Sequence, residues 1–257
     1  MAADQRLFTA IVCGCALATF VSTNATADTT VLPNLTMHFG VAGSVYEYNA
    51  ADMGSAWSNG NSTFGYAGTI SNSLNNPGFS LSWSLLVNPD PFIVGNLVVT
   101  NTSNATQTFF LDVSLPIGTG LASSLVGGSV TGTVTDLTGN GATLSAVGAG
   151  DSIYEALTDV NPDFTGGNLA GQLLTGASAT AGAFQSATIG PAEFGGPAIP
   201  SMAFGPVTTN IAIRLAFTLT AGDSASFTSL FVVVPAPAGA LAFAAFGLVG
   251  AGRRRRN

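Results

Sequence analysis

Ile211-Ala212-Ile213-Arg214-Leu215-Ala216-Phe217-Thr218-Leu219 decides the fold class. Large apolar residues hold every odd position, and Ala, Arg, Ala and Thr stand between them. A period of two sends successive side chains to opposite faces of an extended chain, whereas a helix needs a repeat near 3.6. The stretch therefore reads as a strand with one buried face, as in an antiparallel sheet that covers a core on one side. Phe79, Leu81, Trp83, Leu85 and Val87 repeat the pattern against Ser80, Ser82 and Ser84. Phe109, Leu111, Val113 and Leu115 repeat it against Asp112 and Ser114.

Further strands are expected over 35–39, 41–48, 93–100, 130–137, 153–159 and 225–234. Turn signals lie between them, such as Asn75-Asn76-Pro77-Gly78, Asn88-Pro89-Asp90-Pro91, Gly139-Asn140-Gly141 and Ala221-Gly222-Asp223. About nine or ten strands at this spacing predict an all-β fold, a β-sandwich of jelly-roll-like or immunoglobulin-like form. Residues 97–100 with 108–115 read as one hairpin, and 211–220 with 224–234 as another. Residues 165–206, rich in Gly, Ala, Ser and Pro, read as long loops or an irregular edge.

The two ends carry targeting devices. Arg6, the apolar stretch 7–21 and Ala25-Thr26-Ala27 form a secretory signal of residues 1–27, cut between Ala27 and Asp28. At the other end stand Pro235-Ala236-Pro237, an apolar run over 238–252, and Arg253-Arg254-Arg255-Arg256. As a helix the run would span about 22 Å. That is shorter than a standard crossing needs, but snorkelling arginines extend it. The arginines would hold their side in the cytoplasm. An N-terminal signal helix, an exported domain over 28–234 and a C-terminal transmembrane sorting helix within 235–257 are thus expected.

Composition narrows the function. Region 28–234 holds twelve acids against a single base, Arg214, a net charge of −11, and the chain has no lysine. Such a surface repels phosphate backbones, which argues against nucleic-acid partners. Both cysteines, Cys13 and Cys15, fall inside the signal segment, so the exported region has no disulfide, thiolate metal site or cysteine nucleophile.

The tail resembles the PEP-CTERM sorting signal of bacteria, through Pro235, Pro237, the small-rich span 238–252 and Arg253–Arg256; Ala236 stands where the family carries Glu. The resemblance implies recognition by an exosortase-type membrane protease-transpeptidase. It implies a precursor held transiently in the inner membrane, then release to the cell surface or matrix. It also implies association with exopolysaccharide in biofilm-forming cells.

Candidates for chemistry are few. His38 is the only histidine, and no Gly-x-Ser-x-Gly elbow accompanies it. It reads as a strand residue facing solvent or a backbone acceptor. Asp151, Glu155, Asp159 and Asp163 fall four apart, yet 152–158 alternates as a strand, which leaves Glu155 and Asp159 solvated on one face. A paired-carboxylate glycosidase would need two acids set in a cleft, which the sequence does not show. Asp159-Val160-Asn161-Pro162-Asp163 has the oxygen spacing of a calcium loop, but Phe164 replaces the expected Gly and Ala170 the closing Glu. No cofactor is indicated. The expected role is a non-enzymatic surface or matrix protein. The alternative is a carbohydrate-binding module using Trp57, Trp83, Tyr46, Tyr48 or Tyr66, with Trp57, placed in a loop, as the best ligand candidate.

Overall fold

A computed structural model describes residues 31–41, 43–72 and 78–237. The signal segment with Ala25, Ala27 and Asp28, the span 238–252 and Arg253–Arg256 lie outside the described residues. Within them the chain is all-β, with sixteen strands and no helix. In chain order these are β1 (Thr36–Val41), β2 (Ser44–Asn49), β3 (Gly54–Gly60), β4 (Thr63–Asn72), β5 (Phe79–Asn88), β6 (Phe92–Asn101), β7 (Gln107–Pro116) and β8 (Ser124–Thr135). Then follow β9 (Ala142–Ser145), β10 (Ser152–Thr158), β11 (Asn168–Thr175), β12 (Ser178–Ala181), β13 (Ser186–Phe194), β14 (Met202–Phe204), β15 (Asn210–Leu219) and β16 (Ser224–Pro235).

Two antiparallel sheets of eight strands result. The first runs β11-β10-β15-β7-β1-β2, with β9 on the end of β15 and β12 on β9. The second runs β13-β8-β16-β6-β5-β4-β3, with β14 on β8. The alternation in the sequence maps onto this directly: along β15, Ile211, Ile213, Leu215, Phe217 and Leu219 are buried, and Arg214, Ala216 and Thr218 are partly exposed. The apolar faces share one core, in a sandwich-like arrangement. Phe217 of the first sheet meets Phe227 of the second at a ring separation of 4.9 Å, and Phe39 meets Phe79 at 4.7 Å. Tyr154 of β10 donates its hydroxyl to the Leu230 carbonyl of β16 at 2.8 Å. That bond satisfies the one polar atom of a buried ring, and burial raises the phenol's pKa far above its usual value.

Three expectations are corrected. Neither predicted hairpin exists: β6 pairs with β5 and β16 while β7 pairs with β1 and β15, and β15 and β16 lie in different sheets. Both connections are arches that carry the chain from one sheet to the other, so the two alternating runs face each other across the core instead of lying side by side. The arches are tied together. The Asn101 backbone donates N–H to the Asp223 carbonyl (2.9 Å) and accepts from Gly222 N–H (2.9 Å). Its buried side-chain amide donates to the carbonyls of Ala105, Leu219 and Thr220 at 2.8, 3.0 and 3.1 Å. Second, of the two readings of 165–206 the long loops give way to the irregular edge: β11 and β13 close an edge of each sheet there with register shifts in their pairings, and β12 and β14 add short pairings. The small residues that obscured the pattern permit close approach. A Cβ on Gly171 would fall 2.7 Å from the Phe194 ring. Third, the strand count exceeds nine or ten, because β3, β4 and β9 as well as β11–β14 form beyond the expected strands.

Candidate functional site

The outer face of the first sheet carries a polar row, one residue per strand across six strands. Register pairs Gln172 with Glu155, Glu155 with Arg214, Arg214 with Asp112, Asp112 with His38, and His38 with Glu47. At a strand spacing near 4.8 Å the row is about 24 Å long. The only base and the only histidine of region 28–234 thus lie on one line, interleaved with three acids. Arg214 donates Nε–H to Asp112 Oδ1 at 2.7 Å, and its Nη1 is 3.7 Å from Glu155 Oε2. Gln172 donates to Glu155 Oε1 at 3.2 Å. Burial raises the Asp112 pKa above the ordinary carboxylate value, and the charge and hydrogen bond of Arg214 only partly offset it.

A strap crosses this row. Residues 159–167 leave β10 and lie over the outer face, with Leu157, Val160, Phe164 and Ala212 forming a small apolar cluster beneath. Arg214 pins the strap by donating Nη2–H to the Phe164 carbonyl at 2.7 Å. Phe164 takes a φ of +57°, rare for a bulky residue. That conformation accompanies a ring set 4.3 Å from the His38 imidazole. Asp159 anchors the strap root: its Oδ1 accepts from the N–H and hydroxyl of both Thr208 and Thr209, at 2.7 to 3.0 Å. Burial opposes the Asp159 charge, but these four bonds prevail and hold its pKa below the usual range. Asp163 Oδ1 accepts from Thr165 N–H and hydroxyl at 3.1 and 2.7 Å.

Two hollows flank the strap and share Phe164 as a wall. One, about 320 Å³, is lined by His38, Gly40, Val45, Phe110, Asp112, Asp163 and Arg214 among others. The other is a groove of about 700 Å³ whose lining includes Asn34, Thr36, Ser114, Asn161, Thr209 and Asn210. In the smaller one His38 is only 8% exposed. Its Nε2 finds no hydrogen-bond partner among the described residues, lying 3.7 Å from Glu47 Oε2, too far for a bond. Asp112 is 7% exposed and uses only Oδ1. Phe110 is 43% exposed at the rim.

The predicted site residues scatter. His38 does not face solvent; it is buried against Phe164. Glu155 is paired and Asp159 is half-buried. Asp159, Asn161 and Asp163 share the strap, with Asp159 and Asn161 at the groove and Asp163 at the smaller pocket. Asp159 and Asp163 each spend an oxygen on their own threonine neighbours. Among the described residues no group of three or more His, Cys, Asp or Glu side chains is placed to hold a metal. Trp57 is not in a loop: it lies on edge strand β3 opposite Gly65, 41% exposed, its indole lying over that glycine and donating Nε1–H to Asn59 Oδ1 at 3.0 Å. Trp83 and Tyr66 are buried in the core, and Tyr46 and Tyr48 pack against it half-buried. Pro235 ends β16, Ala236 donates its N–H to the Ser123 carbonyl (3.1 Å), and Pro235 and Pro237 are exposed. No single stretch of sequence reveals the row, because its members sit singly on six strands; only register aligns them. No family model matches this chain, and no curated protein matches it.

Proposed function

We propose that this chain is an exported, non-enzymatic surface or matrix domain, a β-sandwich of jelly-roll-like or immunoglobulin-like form, sorted through its PEP-CTERM-like tail by an exosortase-type enzyme. The observation that supports it best is the exit of the chain: β16, paired on both sides within the second sheet, delivers Pro235-Ala236-Pro237 at the domain's boundary with both prolines exposed. A motif so placed is open to a membrane enzyme while the domain stays folded. Mass spectrometry of the C-terminus of the exported protein tests this. Processing predicts loss of Arg253–Arg256; an exported protein ending at Asn257 overturns it.

A second reading, carbohydrate binding at the cell surface, is favoured by the amide- and hydroxyl-lined hollows beside the strap and by exposed Trp57.

A further inference from the structure

We propose that the outer face of the first sheet binds a neutral oligosaccharide, one pyranose ring seated between Phe110 and Phe164 over His38 and Asp112, and the next rings in the groove beyond Phe164. This deepens the second reading by naming its site and ligand class; the sorting reading stands or falls without it.

Size sets the first limit. Hollows of about 320 and 700 Å³ sharing one wall lie within the range of small-ligand sites. Charge sets the second. Asp112, Asp163, Glu47 and Asp159 line the two hollows, and Arg214 has Nε and Nη2 committed to Asp112 and the Phe164 carbonyl. A phosphate, sulfate or uronate would meet net negative charge here. The unused hydrogen-bonding capacity sets the third. His38 Nε2 is a buried polar atom without a partner among the described residues, and such an atom is costly unless something pairs with it; Asp112 Oδ2 beside it accepts no hydrogen bond from the described residues. Sugar hydroxyls both donate and accept. They serve a carboxylate oxygen and either tautomer of an imidazole alike.

The apolar part fits as well. The Phe110 ring stands at the pocket rim, 43% exposed, beside Gly40 of the adjacent strand, which has no side chain to crowd it. A pyranose presents a C–H face to such a ring. The groove beyond offers Asn34, Thr36, Ser114, Asn161, Thr209 and Asn210, a lining of amides and hydroxyls suited to an extended polyol.

The test is calorimetric titration of the full-length chain in a non-glycosidic detergent. The panel comprises neutral gluco-, manno- and xylo-oligosaccharides, a sulfated oligosaccharide and an oligogalacturonide. At least one neutral oligosaccharide is expected to bind. Phe110→Ala is expected to weaken that binding at least tenfold. Val45→Trp, on an exposed edge position of the same pocket, is expected to block it without touching the core. Trp57→Ala should leave the affinity unchanged. Binding of only the charged oligosaccharides, or of none of the panel, overturns the inference. So does binding lost in Trp57→Ala but retained in Phe110→Ala and Val45→Trp; that result would keep carbohydrate binding and move it to β3.

Discussion

Asn101 joins the two arches that carry the chain between sheets, and its removal should cost far more than its polar character suggests. Asn101→Ala deletes the two N–H donors that its amide shares among the carbonyls of Ala105, Leu219 and Thr220, and the bonds its Oδ1 accepts from Ser103 N–H (3.1 Å) and hydroxyl (2.7 Å). The Leu219 carbonyl is buried, and leaving it unpaired costs about 1–3 kcal/mol; the Ala105 and Thr220 carbonyls lie nearer the surface, where water replaces part of the loss. The expected destabilisation is about 3 kcal/mol, a large part of the ~5–15 kcal/mol that holds a typical domain. Asn101→Asp should be worse at neutral pH. It keeps the acceptor for Ser103 but points a carboxylate at three carbonyls. The fold then disfavours the charge and the folded pKa rises above the unfolded value near ~4. The extra penalty is therefore absent below that pH and grows as pH rises through the folded pKa. Urea denaturation at pH 7 and again at pH 4 reads both effects, with Asn96→Ala on the exposed face of β6 as a control expected within about 0.5 kcal/mol. If Asn101→Ala matches the control, or Asn101→Asp is no worse than Asn101→Ala at pH 7, the arches are not held as described.

Phe217→Ala should cost about 3–5 kcal/mol, since its ring is fully buried against Phe109 and Phe227. Thr218→Ala on the opposite face should cost under about 1 kcal/mol for its bond to Ser145, and equal losses in chemical denaturation would refute the strand's facing. Gly68→Ala should destabilise by about 1–3 kcal/mol, because a Cβ there meets Trp83 Cζ2 at 2.3 Å and the Met53 carbonyl at 2.8 Å; an unchanged melting temperature would contradict this packing. Asp159 has a folded pKa below its unfolded value, so its contribution is full above the unfolded pKa and disappears as pH falls through the folded one. Asp159→Asn should remove that part of the acid sensitivity, measured as the slope of stability between pH 5 and about 2, and an unchanged slope would assign it elsewhere. In cells, bulky residues at Ala25 and Ala27 should leave an uncleaved precursor, and N-terminal sequencing that still begins at Asp28 would refute the signal assignment.

The sequence alone determined how each strand faces. Alternation in 79–87, 109–115 and 211–219 is a property of one extended chain, because successive side chains must leave it on opposite sides. All-β class and a one-sided core followed without knowing any partner. Tertiary structure alone decided which strands meet. A short polar turn after an alternating run serves a hairpin or an arch equally well, and what selects the arch here is the mutual bonding of Asn101, Gly222 and Asp223, residues far apart in sequence and ordinary in turns. The candidate site has the same origin. His38, Asp112, Glu155 and Arg214 were each legible as outward or polar residues on their own strands. Their alignment, and the burial of His38 under Phe164, exist only because register brings β1, β7, β15 and β10 side by side and lets the strap close over them. A period of two sets direction but carries no information on register between distant strands, which is where this site is made.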